Sequence, residues 1–327
     1  MAYNSNISND SFNGTSFQND TFSESLTTIK DELTTRILGF LVMLISSPGL
    51  YFNLYAFFHF LTVEKSCFYL LCISKTLSNS LVLLVNLVYN GPCAILCTIL
   101  VSNNLNSLLN EAIAYGIYLM GPLTQVLISI NRFLVVYYSA SKSPGYSNRV
   151  TVAVLLIFWV LALYITVLYG FPENCRIRLT LEFLDWTADD CTNQFINLLA
   201  YRFTYFVVFL GVFCNLLNFL VIIKLLLLAM RSKTLSSESS KRRQKTTIRL
   251  FIQNCIQDWI YVVDMVNSVY VIARVSGIVP IFLTGLGTNL FVHATDGFVM
   301  YMFHHKWGTG RKTSMISVSP KLTRARL

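Results

Sequence analysis

A seven-transmembrane helix bundle, all-α, with its amino terminus outside and its carboxyl terminus inside, is the fold this sequence predicts, and three observations predict it. The chain is 54% hydrophobic and only 13% charged over 327 residues, about half the charged share of an ordinary globular domain. Its apolar residues gather into tracts of the roughly 20 residues a helix needs to cross the hydrocarbon core. Its basic residues, which bring the net charge to +9, collect in the loops on one side of those tracts. That placement reads as membrane orientation rather than nucleic-acid binding, and no DNA-binding fingerprint accompanies it.

Taken in order, residues 1–36 form a polar segment rich in Asn, Ser and Thr, read as a disordered extracellular tail. N-x-S/T sequons crowd into it at Asn6, Asn9, Asn13 and Asn19, which marks the tail as glycosylated if it lies outside. The spans are placed at Ile37–Leu61, Cys67–Val88, Glu111–Tyr137, Val150–Tyr169, Tyr201–Met230, Thr247–Ala273 and Ile278–Phe303, so that residues 37–303 make the membrane domain and 304–327 a cytoplasmic tail. The apolar run after the second span continues past Gly91 and Pro92 to Val101, as a bent extension or a packed loop. Arg132, Lys142, Arg149, the stretch from Arg231 to Arg249 and the tail fall on one side. Glu173, Glu182, Asp185, Asp189 and Asp190 fall on the other. The basic side is cytoplasmic by the positive-inside rule.

Cys67, Cys72, Cys214 and Cys255 lie within spans, where a thiol packs as a small apolar group. Cys175 and Cys191 share the acidic outer loop and are expected to pair with each other. Cys93 and Cys97 are the competing partners.

Polar groups inside the spans need partners or water. Counting at 1.5 Å per residue brings Asn53, Lys75, Asn79, Asp258 and Asp296 to one depth. The expected buried polar layer has Lys75 paired with Asp296, as structural glue, as a switch, or as both. Asp264 sits farther out and is a candidate to line a ligand cavity with Tyr115, Tyr118, Gln125, Asn267 and Tyr270; packing tyrosines are the plainer alternative. Arg132 ends the third apolar span, either as an inner flank or as a placed charge. The loop RSKTLSSESSKRRQKTT between spans five and six suits anionic lipid and a cytoplasmic partner. Ser236, Ser237, Ser239, Ser240, Thr313, Ser314, Ser317 and Ser319 are candidate phosphorylation sites on that same side.

The blocks CISKTLSN at 72–79, GPLTQVLISINRF at 121–133, FIQNCIQDWIYVVDM at 251–265 and HATDG at 293–297 resemble those of the nematode serpentine receptors of class x, within the rhodopsin-like G-protein-coupled receptors. The resemblance implies a chemoreceptor that binds an external small molecule, in the plasma membrane of sensory-neuron cilia. It implies a heterotrimeric G protein as partner, with arrestin and a kinase as further candidates. By position, Asn131, Arg132 and Phe133 match the Asp/Glu-Arg-Tyr switch, with its acid and tyrosine replaced, and Asp296 falls near the Asn-Pro-x-x-Tyr motif but precedes Gly297 rather than proline. A transporter or ligand-gated channel is the competing class. No metal-ligand spacing, nucleophile elbow or phosphate loop marks an enzyme, and no cofactor is expected.

Overall fold

The computed structural model describes residues 20–63, 66–137, 148–170, 176–188, 194–232 and 238–304. Within them the chain is helical apart from one small hairpin. Helix α1 (Asp20–Thr62) comes first, then α2 (Cys67–Val85), which passes through a π-turn at Asn86–Asn90 into α3 (Gly91–Leu96). Helix α4 (Asn103–Glu111) passes through a second π-turn at Ala112–Gly116 into α5 (Ile117–Tyr137). Helix α6 (Asn148–Gly170) leads to strands β1 (Ile177–Thr180) and β2 (Asp185–Ala188), which pair antiparallel. Helices α7 (Gln194–Ser232), α8 (Glu238–Val266), α9 (Ile278–Thr284) and α10 (Leu286–His304) complete the order, α8 ending in a π-turn and a short 3-10 segment at Ile272–Arg274. The second span is thus α2–α3, the third α4–α5 and the seventh α9–α10.

Several expected boundaries shift. Residues 20–36, expected as part of an unstructured tail, belong to α1. Its last turns before the span are built for a helix, with Glu32 and Arg36 paired four residues apart. The apolar run after the second span is a bent extension, since a proline at the start of α3 is tolerated there. It stops at Cys97, which takes a left-handed conformation (φ 51°). The fifth helix runs past its expected ends on both sides, and the sixth begins at Glu238 rather than Thr247. The sequons at Asn6, Asn9, Asn13 and Asn19, the cysteines 175 and 191, and the tail beyond residue 304 lie outside the described residues. Cys93 and Cys97 are free thiols.

Among the described residues, six of the helical units are long and apolar enough to cross a membrane. The remaining one, α8, fails that criterion because of the face it turns inward. Gln253, Asn254, Gln257, Asp258, Tyr261 and Asp264 are buried, whereas Ile252, Ile256, Trp259, Val263 and Val266 are exposed. This is an amphipathic helix turned inside out relative to a water-soluble protein, which fits a polar bundle interior and an apolar surround. The other helices present the same surround: Phe40, Ile157, Val160, Phe209 and Val212 are each more than half exposed, a patch far larger than a soluble monomer tolerates.

Helix α1 packs along α2 and α10, and α5 packs against α2 and α7. Leu83, Leu286 and Leu290 join Phe282 and the hairpin's Leu179 and Leu184 in one apolar cluster, so the hairpin is seated in the bundle's mouth. Leu184 holds a positive φ of 45°, which costs about 1 kcal/mol for a branched side chain, and its complete burial in that cluster offsets it.

Candidate functional site

At mid-depth the structure gathers Asn53, Lys75, Asn79 and Asp296 from the first, second and seventh spans. Lys75 Nζ lies 2.8 Å from Asp296 Oδ1, with both side chains at most 1% exposed. The Asn79 amide donates to Asp296 Oδ2 at 2.6 Å and to Asn53 Oδ1 at 3.2 Å. Asn53 donates in turn to the Gly49 and His293 carbonyls. A buried ion pair holds only when its remaining lone pairs and protons are also used, and here each partner has a second neutral contact. Lys75 donates to Gln125 Oε1 at 2.5 Å and lies over the Tyr261 ring.

The sequence comparison with Asn-Pro-x-x-Tyr left Gly297 unexplained, and the packing accounts for it. A Cβ at Gly297 would overlap the Asn53 amide, so the seventh span needs a residue without a side chain where the first span's asparagine enters.

Asp258 borders this layer from α8, within electrostatic reach of Lys75, and Asn218 of the fifth helix donates to it; it shares with Gln125 and Tyr261 a small cavity of about 20 Å³, room for a single water. Gln125, expected beside a ligand, is occupied by Lys75, because the four-carbon stem of a lysine reaches a neighbouring helix. Among the other expected cavity residues, Tyr118 donates to Asp264 Oδ2 at 2.8 Å. Tyr115 instead packs in the apolar cluster of Leu119, Ile165 and Val207. Asn267 falls in the π-turn at the carboxyl-terminal end of the sixth helix, and Tyr270 is 59% exposed, facing away from the interior. The residue that sequence reasoning missed is His293. It is fully enclosed, its Nδ1 lies 2.8 Å from Asn79 Oδ1, and its ring meets the Tyr118 ring edge-on. Because Asn79 Oδ1 can only accept, Nδ1 carries the proton and Nε2 is left as an acceptor. A lone histidine within an apolar span has no distinguishing sequence signal.

At the end of the bundle opposite the hairpin, Arg132 is buried and held over the Phe68 ring at 5.3 Å, and none of its guanidinium nitrogens has a hydrogen-bond partner. Asn131 lines a groove of about 70 Å³ with Leu71, Leu127 and Thr151. Phe133 stacks on Tyr137 at 4.3 Å, whose hydroxyl donates to the Leu220 carbonyl of α7 at 3.0 Å. Arg249 of α8 donates to the Phe303 carbonyl at the end of α10. These two clips join spans three to five and six to seven.

At the hairpin end of the bundle, α4 presents a buried polar face to the hairpin. Glu111 Oε1 accepts the Ile177 N–H at 2.7 Å, Asn106 donates to the Leu179 carbonyl at 3.4 Å, and the Trp186 indole donates to Asn110 Oδ1 at 3.1 Å. On the other side Asp185 sits at the start of α10, taking backbone N–H bonds from Trp186 and Leu286, and a Cβ at Gly285 would press within 2.5 Å of its oxygens. Burial pushes the Asp185 carboxyl up to about 7, with those two backbone bonds pulling the other way. The hairpin is therefore held to spans three and seven by hydrogen bonds.

The sequence model for the serpentine type 7TM GPCR chemoreceptor Srx matches residues 43–304. The chain belongs to the Srx family. The stretch matched runs from within the first span to the end of the seventh and includes the polar α8, so the seventh crossing is part of this receptor's fold. Among solved structures, the crystal structure of squid rhodopsin is similar at a TM-score of 0.66 and 14% identity, over 83% of this chain and 77% of that one. Identity that low shows a shared fold alone. No curated protein matches the chain. This Srx receptor is accordingly a multi-pass membrane protein with the architecture of a G-protein-coupled receptor.

Proposed function

We propose that this Srx receptor binds an external small molecule in the outer half of its bundle and passes the signal to a heterotrimeric G protein at its inner face, with the amino terminus outside. It acts at the plasma membrane of chemosensory neurons. The observation that carries the reading is the state of Arg132. Its positive charge is enclosed at the inner end of the third span without a carboxylate beside it in sequence, and it rests on Phe68 within electrostatic reach of Cys255 and Asp258 on α8. An enclosed guanidinium with unused donors is costly where it stands, and an arrangement that opens the inner face releases those donors to a partner.

The two states differ in the packing of α8 against spans three and seven. Ligand binding shifts the balance only by its differential affinity for the two. The Arg249 and Tyr137 clips hold the closed arrangement, and the Lys75–Asp296 pair keeps spans two and seven in register through the change.

The test is expression in a reporter cell challenged with volatile, water-soluble and pheromone-like molecules. A response abolished by G-protein inactivation is expected, and Arg132→Ala should eliminate it at unchanged surface level. Normal signalling from Arg132→Ala at the surface refutes the role, and current or tracer flux that survives G-protein inactivation favours a channel instead.

A further inference from the structure

The unused hydrogen-bonding capacity of the bundle differs between its two halves. Toward the inner end, unpartnered buried atoms include the three guanidinium nitrogens of Arg132 and both polar atoms of Asn254 and of Gln257, a mixture of donors and acceptors. Toward the outer end they are Asp264 Oδ1, His293 Nε2, Asn289 Oδ1, Asn90 Oδ1, Glu111 Oε2 and Asp185 Oδ1, together with the hydroxyls of Ser46, Tyr89 and Ser107. All six of the former accept, since His293 has its proton on Nδ1. Arg176 donates to Asn104.

Charge is distributed in the same way. Among the described residues the buried bases are Lys75, Arg132 and His293. Lys75 is committed to Asp296 and Gln125, and Arg132 is at the inner end. Arg36, Arg176, Arg178, Arg202 and Arg274, the described arginines of the outer side, all keep solvent exposure. Three carboxyl groups, Glu111, Asp185 and Asp264, are thus enclosed in the outer half without a buried cation beside them. Glu111 and Asp185 have a structural task in holding the hairpin. Asp264 has none: it accepts one bond, from the Tyr118 hydroxyl, and stands near Thr288, whose proton is already directed to the Thr284 and Gly285 carbonyls. The Tyr118 ring joins it to His293, edge-on at 6.1 Å. A buried charge is normally paired, and buried acceptors are normally met by donors.

We infer that the ligand is a cation carrying N–H donors, a protonated amine, whose ammonium group pairs with Asp264 and is shared with Tyr118 and His293. A primary ammonium has three N–H donors and no acceptor, the complement of this set. One goes to Asp264 Oδ1 and one to His293 Nε2, and the charge lies against the Tyr118 ring, an arrangement aromatic rings favour. An alcohol offers one donor and no charge. A carboxylate would add a fourth acid to an outer half that already holds three. The inference rests on the receptor reading for the ligand's existence and adds its chemistry.

The experiment uses the purified full-length receptor in detergent, without G protein, so that a failure of coupling leaves it intact. Thermal melting is followed with a set of alkyl- and arylalkylamines, each beside the alcohol and the carboxylate of the same skeleton. At least one amine is expected to bind about tenfold or more tightly than its alcohol, the ratio a charge-assisted hydrogen bond supplies. That preference should vanish above the amine's own pKa and in Asp264→Asn. Asp264→Asn without ligand should melt no lower than the wild type, since it removes an unpaired enclosed charge. If no amine stabilises the receptor beyond its alcohol, or if the preference survives in Asp264→Asn or at high pH, the assignment is overturned.

Discussion

Replacing Asp296 by asparagine separates the contribution of the central ion pair from that of its surroundings. In the native receptor Lys75 Nζ meets the carboxylate at 2.8 Å and Gln125 at 2.5 Å, all enclosed. The introduced amide keeps an oxygen for Asn79 but leaves the ammonium with neutral partners only. Removing one partner of a buried pair costs about 3–5 kcal/mol. At about 2 °C per kcal/mol, the lower edge for a large domain, the melting midpoint of Asp296→Asn should fall by about 6–10 °C. Lys75→Met should cost at least as much, because Asp296 is then a buried anion with the single Asn79 donor. The double variant Lys75→Met/Asp296→Asn removes both charges of the pair and should recover most of the loss, since replacing both partners is often neutral or stabilising. Surface expression and melting of the purified receptor, arranged as a double-mutant cycle, measure this. A double variant that melts at or below the sum of the two single losses would falsify the pairing as an energetic unit, and the charge-swapped Lys75→Asp/Asp296→Lys offers a second check on the same term.

Gly297→Ala should lower the melting midpoint by an amount equivalent to about 1–3 kcal/mol, because the added methyl displaces Asn53 from its contacts with Asn79; a midpoint matching the wild type would show that Asn53 can step aside. Asp185 holds more protons when the hairpin is docked than when it is free, its carboxyl being pushed up to about 7. Docking is therefore firmest below the ordinary carboxylate range of about 4 and weakens as pH rises through 7. Amide exchange across Ile177–Thr180 should quicken from pH 5 to pH 8 beyond the intrinsic chemical increase, and Asp185→Asn should flatten that excess. Glu111→Ala removes the acceptor of the Ile177 N–H and should raise exchange at that amide by about five- to twentyfold, equivalent to about 1–2 kcal/mol for an orphaned buried donor; unchanged protection would mean that Asn106 and Asn110 suffice.

Much of the bundle was legible because the bilayer imposes a length and a polarity that composition cannot hide. The depth count that brought Lys75 and Asp296 together needed only the helical rise and the requirement that a buried charge be paired. What it could not supply was rotation. Asp258 stands near Lys75 but takes its hydrogen bond from Asn218 on the fifth helix, and Tyr270 has the right residue type but faces outward. The π-turns at Asn86–Asn90, Ala112–Gly116 and Asn267–Val271 explain part of this, since each adds a residue to a turn and rotates everything beyond it. No residue type marks such a turn. The hairpin was overlooked for a different reason: four-residue strands with one alternation apiece, Ile177–Thr180 and Asp185–Ala188, carry too little periodicity to stand out in an acidic loop. His293 escaped notice because its importance comes from Asn79, 214 positions away.

The inward stripe of α8 bears on how the protein is made. Gln253, Asn254, Gln257, Asp258 and Asp264 would each meet hydrocarbon if this helix left the translocon by itself, and a single aspartate at mid-membrane already costs about 2.5–3.5 kcal/mol on insertion scales. Biogenesis must therefore hand the segment to the lipid in company, with α7 already waiting or α10 arriving behind it. A truncation after Arg274 should leave the newest helix stranded on the cytoplasmic side, where an attached glycosylation tag would stay unmodified.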